Sequence, residues 1–388
     1  MAVYPVVLLS VLTSIGLRGS KVAVSLYALE LGAGAAAVGA LAALFSVLPL
    51  LLAVPAGRIA DRFGMRMPIV LGTAIMAGGL ALPLAAPGLG WLFLCPTLIG
   101  LGHVFFHVSV HNLVGSLGDG AARARNFATF ALGISIAAFI GPSAAGFAIE
   151  LAGFQAAFAL LACIAAVPAF YALFHRSLFP PRQRLEGEHA AGSAFELLSI
   201  PALRRTLILS GVALTGIELF SFYLPIYGRA IGLAPSTIGM ILSSYALAGF
   251  VVRIVMHRLT QRYGELGVLS GSLFAAAGAY LAVPALSDAW LLAGAAFALG
   301  LALGSAQPLT IALTYGYAPP GRSGEALGMR IMANKITQIA VPLAFGGFGA
   351  VLGAAPVFLA TGAFLLAAGC LSVRGAGSRL ARIQETRS

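Results

Sequence analysis

Twelve apolar runs, each long enough to carry a helix across a bilayer, constrain this chain more than any single motif in it. They fall near 4–30, 37–57, 67–87, 90–115, 124–150, 154–174, 205–230, 237–257, 266–286, 289–315, 325–350 and 355–373, and one crossing takes about 20 apolar residues. Only 9% of residues are charged and mean hydropathy is +0.98, whereas a soluble domain carries about 25% charged residues. A water-soluble enzyme is excluded. Abundant Ala, Gly and Leu suit close helix packing, whereas barrel strands would alternate in polarity over about ten residues. The expected fold is an all-α membrane protein of twelve transmembrane helices. Cys95, Cys163 and Cys370 stand at unrelated spacings inside apolar runs, which supplies neither a disulfide framework nor a zinc pattern. No catalytic constellation and no cofactor motif is present, so neither an enzyme nor a bound cofactor is expected.

The distribution of basic residues sets the expected orientation. With the first residue inside, 17 of the 23 Lys and Arg residues fall in cytoplasmic loops and the tail, and only Arg229 falls outside. This is the positive-inside pattern, with both termini cytoplasmic. It accounts for a net charge of +11 without a nucleic-acid partner. The first run has no basic segment before it and no cleavage site after it, so it is expected to stay as a span. The longest polar stretch separates a first half, 1–174, from a second half, 205–388, and residues 175–204 are expected to form a cytoplasmic linker.

The halves match without gaps at an offset of 200 residues. Tyr27, Gly32, Gly39, Arg58, Arg62 and Gly64 meet Tyr227, Gly232, Gly239, Arg258, Arg262 and Gly264; Pro142, Gly146, Gly153 and Phe158 meet Pro342, Gly346, Gly353 and Phe358. Two pseudo-symmetric six-helix halves are the geometry of a carrier that works by alternating access.

The loop expected after the second run reads Gly57-Arg58-Ile59-Ala60-Asp61-Arg62-Phe63-Gly64-Met65-Arg66, and His257–Gly264 is a degenerate copy. It resembles the GxxxDRxGR(K/R) signature of the major facilitator superfamily. Span five carries Gly141-Pro142-Ser143-Ala144-Ala145-Gly146, similar to that family's GPxxGG antiporter motif with one glycine replaced by Ala145. The resemblance covers the whole chain. It implies that Gly57, Asp61, Arg62, Gly64, Arg66, Arg258 and Arg262 form a conformational latch, in which Asp61 accepts hydrogen bonds from a helix end and Arg62 pairs with an acid. It implies that Gly141, Pro142 and Gly146 belong to an exporter working by proton antiport, and that the chain is a monomer. Two departures bear on the solute. Span four has no arginine at Pro96–Gly100, and span one carries Arg18 and Lys21 where cation exporters carry an acid.

An ionisable group inside a bilayer is costly and so marks a candidate site. Setting aside the span-end acids Glu30, Glu150 and Glu325, the runs hold Arg18, Lys21, Arg253, Arg330 and Lys335 against one acid, Glu218. That balance favours an anionic solute. Arg18 and Lys21 are three residues apart and share a helix face. The offset sets Arg18 against Glu218, so a salt bridge between them is one reading, and a proton-carrying Glu218 is another. Span eleven presents Arg330, Asn334 and Gln338 at four-residue spacing, with Lys335 beside them, a set suited to an oxygen-rich anion. Arg253 fits a gating role as well as a ligand role.

Span four carries His103, His107 and His111 at intervals of four, which puts them on one helical face. Such a ladder can relay protons through His107 and His111, bind solute through His103 and His107, hold a divalent metal, or serve as polar packing. Phe222 and Tyr223 would favour an organic solute if they faced a cavity. The leading expectation is a proton-coupled exporter of a small organic anion in a bacterial inner membrane. The alternatives are a general drug or amphiphile efflux pump, a metal or metal-chelate transporter, and a non-transporting receptor on the same fold.

Overall fold

A computed structural model of the chain describes residues 3–117, 120–176, 179, 194–319 and 322–385. Every regular element among them is helical: α1 (Val3–Glu30), α2 (Ala35–Phe63), α3 (Arg66–Ala85), the short α4 (Leu89–Leu92), α5 (Leu94–Ser116), α6 (Gly120–Phe174), α7 (Pro201–Ala230), α8 (Pro235–Ala282), α9 (Ala289–Tyr317), α10 (Ser323–Leu352) and α11 (Ala354–Glu385), with 3-10 turns at Ala194–Ser199 and Val283–Ala285. Among the described residues, ten helical stretches are long and apolar enough to cross a membrane. Two are too long for one crossing. α6 has 55 residues and α8 has 48, at about 1.5 Å of rise each. Each is broken once, at Gly153 (φ 82°) and at Gly264 (φ 70°). The twelve apolar runs are thus carried by ten continuous stretches.

The repeat reappears as backbone geometry. Gly32 and Gly232, Gly64 and Gly264, and Gly153 and Gly353 all have φ between 70° and 83°, a region that costs a residue with a Cβ about 1 kcal/mol or more. These glycines end one span and turn the chain into the next. Gly88 (φ 145°) has no glycine counterpart. Its equivalent, Asp288, instead caps α9 by accepting from the Trp290 and Leu291 amides at 2.9 and 3.1 Å.

Two compact units are present. The first comprises Met1–Gly187 with Leu224–Ser243, the second Glu188–Tyr223 with Ser244–Ser388. In the first, α1 packs on α6, and α3 and α2 pack on α5. Small residues make these approaches possible, as they do wherever lipid supplies no hydrophobic drive between helices. A Cβ on Gly141 would lie 3.1 Å from the Gly19 amide, and one on Gly72 would lie 2.5 Å from the Gly102 carbonyl. In the second unit the Tyr280 hydroxyl donates to the Gly216 carbonyl, and Ser270 bonds Ser372 at 2.7 Å. Buried hydroxyls elsewhere turn back on their own helices. Ser10, Thr13 and Thr73 each donate to the carbonyl four residues earlier, which satisfies a polar group without a partner helix.

The segment expected to be a loop at 57–66 is mostly helix. α2 continues to Phe63 and α3 starts at Arg66, so Gly57 is a mid-helix residue and Gly64 alone makes the turn. Continuing the helix keeps backbone amides and carbonyls paired, which is worth most next to a bilayer. Most of the expected linker, 175–204, and the Asp61 side chain lie outside the described residues. The linker's described end, Ala194–Ser199, docks in the second unit. Leu197 is buried with Leu203, Leu207, Ala326 and Met329, and Glu196 meets Arg322 at 3.3 Å.

Candidate functional site

In the first unit, α1 supplies an exposed Arg18 and a half-buried Lys21. Gly141 of α6 sets how near these residues lie to span five, since a Cβ there would come within 2.8 Å of the Arg18 Cβ. Arg18 makes no hydrogen bond or ion pair among the described residues. The following stretch of α6 is knit to the start of α8. Ser143 and Ser243 share a hydrogen bond of 2.7 Å, Ser243 also donates to the Phe139 carbonyl at 2.5 Å, and a Cβ on Gly239 would lie 2.5 Å from the Pro142 carbonyl oxygen. Gly146 stands in the same relation to the Pro235 carbonyl. The span-five motif is therefore a close-packing surface built of glycine and serine.

The span-end acids set aside at the outset all have partners. Glu30 pairs with Arg229. Glu150 accepts from the Ser236 amide at 3.2 Å, so an acid from α6 caps the first turn of α8. Glu325 pairs with Arg322 at 2.6 Å and raises the pKa of that already basic guanidinium. A sequence signal exists for Glu150, an acid and a helix start opened by Pro235, but nothing in sequence order joins the two.

The histidines form a ladder on α5. His103 and His107 have ring centroids 5.2 Å apart, and His107 and His111 4.2 Å apart, with Nε2 atoms separated by 3.1 Å. His111 rests edge-on against Phe130 of α6. Among the described residues no group of three or more His, Cys, Asp or Glu side chains gathers to hold a metal ion.

At the turn between α2 and α3, Arg66 Nε donates to the Ala172 carbonyl at 2.8 Å and its Nη2 to the Leu173 carbonyl at 2.5 Å. The guanidinium thus satisfies carbonyls at the end of α6, where the helix dipole is negative. Arg58 and Arg62 are exposed.

In the second unit the polar stripe of α10 divides among different neighbours. Arg330 is buried at 4% exposure. Its Nη2 donates to the Gln307 side-chain oxygen at 2.5 Å, to the Gln307 carbonyl at 3.2 Å and to Thr310 at 2.9 Å, all on α9. No carboxylate is among these partners, and Nε has no hydrogen bond. Asn334 turns instead to α7, accepting from Ser210 at 3.1 Å, while Lys335 donates to Gln338 at 3.0 Å within α10. Glu218 is half-buried on α7, and Arg253, Arg258 and Arg262 are exposed on α8, with Arg262 lying 5.4 Å over the Tyr263 ring. Gln307 and Thr310 escape a reading of the sequence. Their only signal is a glutamine before Pro308 inside a long apolar run. Phe222 and Tyr223 are 4% and 1% exposed and pack edge to face, and the Tyr223 hydroxyl donates to the Phe345 carbonyl at 2.6 Å, so they are packing groups.

The sequence matches the family profile described as Major Facilitator Superfamily over residues 6–234 and again over 206–377. The chain belongs to the major facilitator superfamily. It is a multi-pass membrane protein, and the family it belongs to is one of secondary transporters. The chain is 26% identical over 251 residues to Multidrug resistance protein 1 of Bacillus subtilis (strain 168), a match covering 63% of each chain. It is 37% identical over 104 residues to the Methylenomycin A resistance protein of the same organism, covering 26% of this chain and 22% of that one. The chain therefore spans less than two thirds of the length of these curated relatives. Its fold resembles that of a mutant of the nucleoside transporter NupG, with a TM-score of 0.80 and 16% identity over 96% of this chain and 99% of that one. A mutant of the peptide transporter POT superposes with a TM-score of 0.82 and 16% identity over 97% of this chain and 94% of that one.

Proposed function

We propose that this transporter exports small amphiphilic organic compounds in exchange for protons, with both termini in the cytoplasm. The observation that carries the reading is the span-five motif. Gly141, Pro142 and Gly146 resemble the antiporter signature, and its two glycines are packed so closely against α1 and α8 that no side chain fits on them. The resistance functions named for the Bacillus subtilis relatives point the same way. Lys21 of α1 and Glu218 of α7, both half-buried, are the candidates for solute contact and proton exchange, with His107 and His111 as a second proton path.

The test uses everted membrane vesicles from a pump-deficient bacterial strain expressing the full chain. Added amphiphiles should release protons from acid-loaded vesicles, and the same compounds should be better tolerated by the cells. Replacing Gly146 with Val should abolish both effects. A broad panel that produces neither proton release nor tolerance overturns the reading.

A second reading, an organic anion as solute, draws on two observations. Arg330 is a buried cation whose partners are all neutral, and Arg18 has no acidic partner among the described residues. Here weak acids, not lipophilic cations, would drive proton release, and Lys21→Ala would remove the response to acids alone.

A further inference from the structure

The ladder on α5 is not uniform. His103 and His107 stand 5.2 Å apart between centroids, whereas His107 and His111 bring their Nε2 atoms to 3.1 Å with centroids at 4.2 Å and planes 42° apart. Two imidazoles meeting head-on through a linear N–H···N bond hold their centroids well beyond the separation of their nitrogens. Here the centroids are barely further apart than the nitrogens. The rings therefore lie side by side and lean together, with their Nε2 atoms sharing a bent hydrogen bond that a bound ion would replace.

That arrangement matches the bite of a chelate. With metal–nitrogen bonds of about 2.0–2.1 Å, two nitrogens on one ion stand about 2.9 Å apart at a right angle and about 3.3 Å at the tetrahedral angle. The observed 3.1 Å lies between. Spacing of i and i+4 on a helix is also how paired histidines present adjacent nitrogens to one ion. His111 packs edge to face with Phe130, with ring centroids 5.0 Å apart, so one arm is set by packing. His107 is exposed, so its ring can be reached from the molecular surface.

We propose that His107 and His111 form a bidentate clip for a divalent transition-metal ion such as Zn2+, Ni2+ or Cu2+, with solvent completing its coordination. No third His, Cys, Asp or Glu joins the pair as a ligand group among the described residues. The clip is thus an open and exchangeable site, unlike a closed structural centre of four protein ligands. The proposal does not depend on which solute the protein moves, and an ion on the pair would block the second proton path named above.

The test uses the detergent-purified full chain without an affinity tag. Zn2+ is titrated calorimetrically, and Cu2+ is added for electron paramagnetic resonance. One ion per chain is expected, with hyperfine coupling to two equivalent nitrogens. His107→Gln and His111→Gln should each weaken Zn2+ binding by on the order of tenfold or more, the least that loss of even an outer-shell partner costs. His257→Gln should leave it unchanged, although that residue also contacts a side chain four residues away, Gln261 at 3.0 Å. Size-exclusion profiles identify variants that fail to fold, and the spectrum of the unmodified chain stands without them. A Cu2+ spectrum with one nitrogen or none, or Zn2+ binding that survives both histidine substitutions, overturns the proposal.

Discussion

A Cβ on Gly239 would sit 2.5 Å from the carbonyl oxygen of Pro142, and the reciprocal contact joins Gly146 to the Pro235 carbonyl. Each glycine thus makes room for a backbone oxygen of the other's helix. The obstacle is backbone in both cases, so no side-chain rotation relieves it. Gly239→Ala should destabilise the protein by about 1–3 kcal/mol, the usual cost of overpacking. Gly78→Ala, with nothing within 4 Å of the added carbon, should be neutral or slightly stabilising. Thermal melting of both variants in detergent checks this; equal melting points would show that the α6–α8 contact yields freely.

Arg330 and Gln307 allow a sharper test, because removing either partner has different consequences. Gln307→Leu takes away the closest hydrogen-bond acceptor of a buried guanidinium and leaves the charge in place, a loss of about 1–3 kcal/mol or more. Arg330→Met removes the charge together with its desolvation cost and keeps most of the volume, leaving only neutral acceptors on Gln307 and Thr310 without a donor, a smaller loss than an unmet charge. Gln307→Leu should therefore melt below Arg330→Met. If Arg330 contacts solute, Arg330→Met will lose transport while keeping its melting point.

The fold is legible in the sequence where the chain needs glycine. Among the glycines that match at an offset of 200, Gly32, Gly64 and Gly153 with their counterparts are driven by the backbone to positive φ, and that requirement is local to the residue. Gly88 shows the limit. Its counterpart, Asp288, begins a helix by capping it with a side chain, so the two halves solve one problem with different residues and the match disappears. The site is less legible because periodicity assigns a residue to a helix face without naming the helix that face meets. Arg330 and Asn334 form one stripe by spacing, yet one bonds α9 and the other α7. The histidine face is legible for the same reason in reverse, since its members are each other's neighbours on one helix.

Tyr223 and Gly349 should behave as a coupled pair. The Tyr223 hydroxyl donates to the Phe345 carbonyl at 2.6 Å and passes so close to Gly349 that a Cβ there would collide with it. Gly349→Ala should cost about 1–3 kcal/mol through overpacking, and Tyr223→Leu a comparable amount through lost volume and the lost hydrogen bond. The double variant should be less destabilised than the sum of the singles, with a coupling of about 0.5–3 kcal/mol. Strict additivity in denaturation experiments would place the two side chains out of contact.

Arg66 separates a structural role from a gating one. The latch reading gives it a part in conformational switching, whereas the geometry sets its guanidinium on the Ala172 and Leu173 carbonyls at the end of α6. A cation at a helix C-terminus contributes about 0.3–1 kcal/mol, and up to about 2 kcal/mol when partly buried. Lysine keeps the charge but has no planar fork to bond two successive carbonyls. Melting points should fall from the unsubstituted protein to Arg66→Lys to Arg66→Ala, and amide hydrogen exchange should rise in the last turn of α6 while staying unchanged in α8. A variant that exchanges normally there, yet transports poorly, would return Arg66 to the latch.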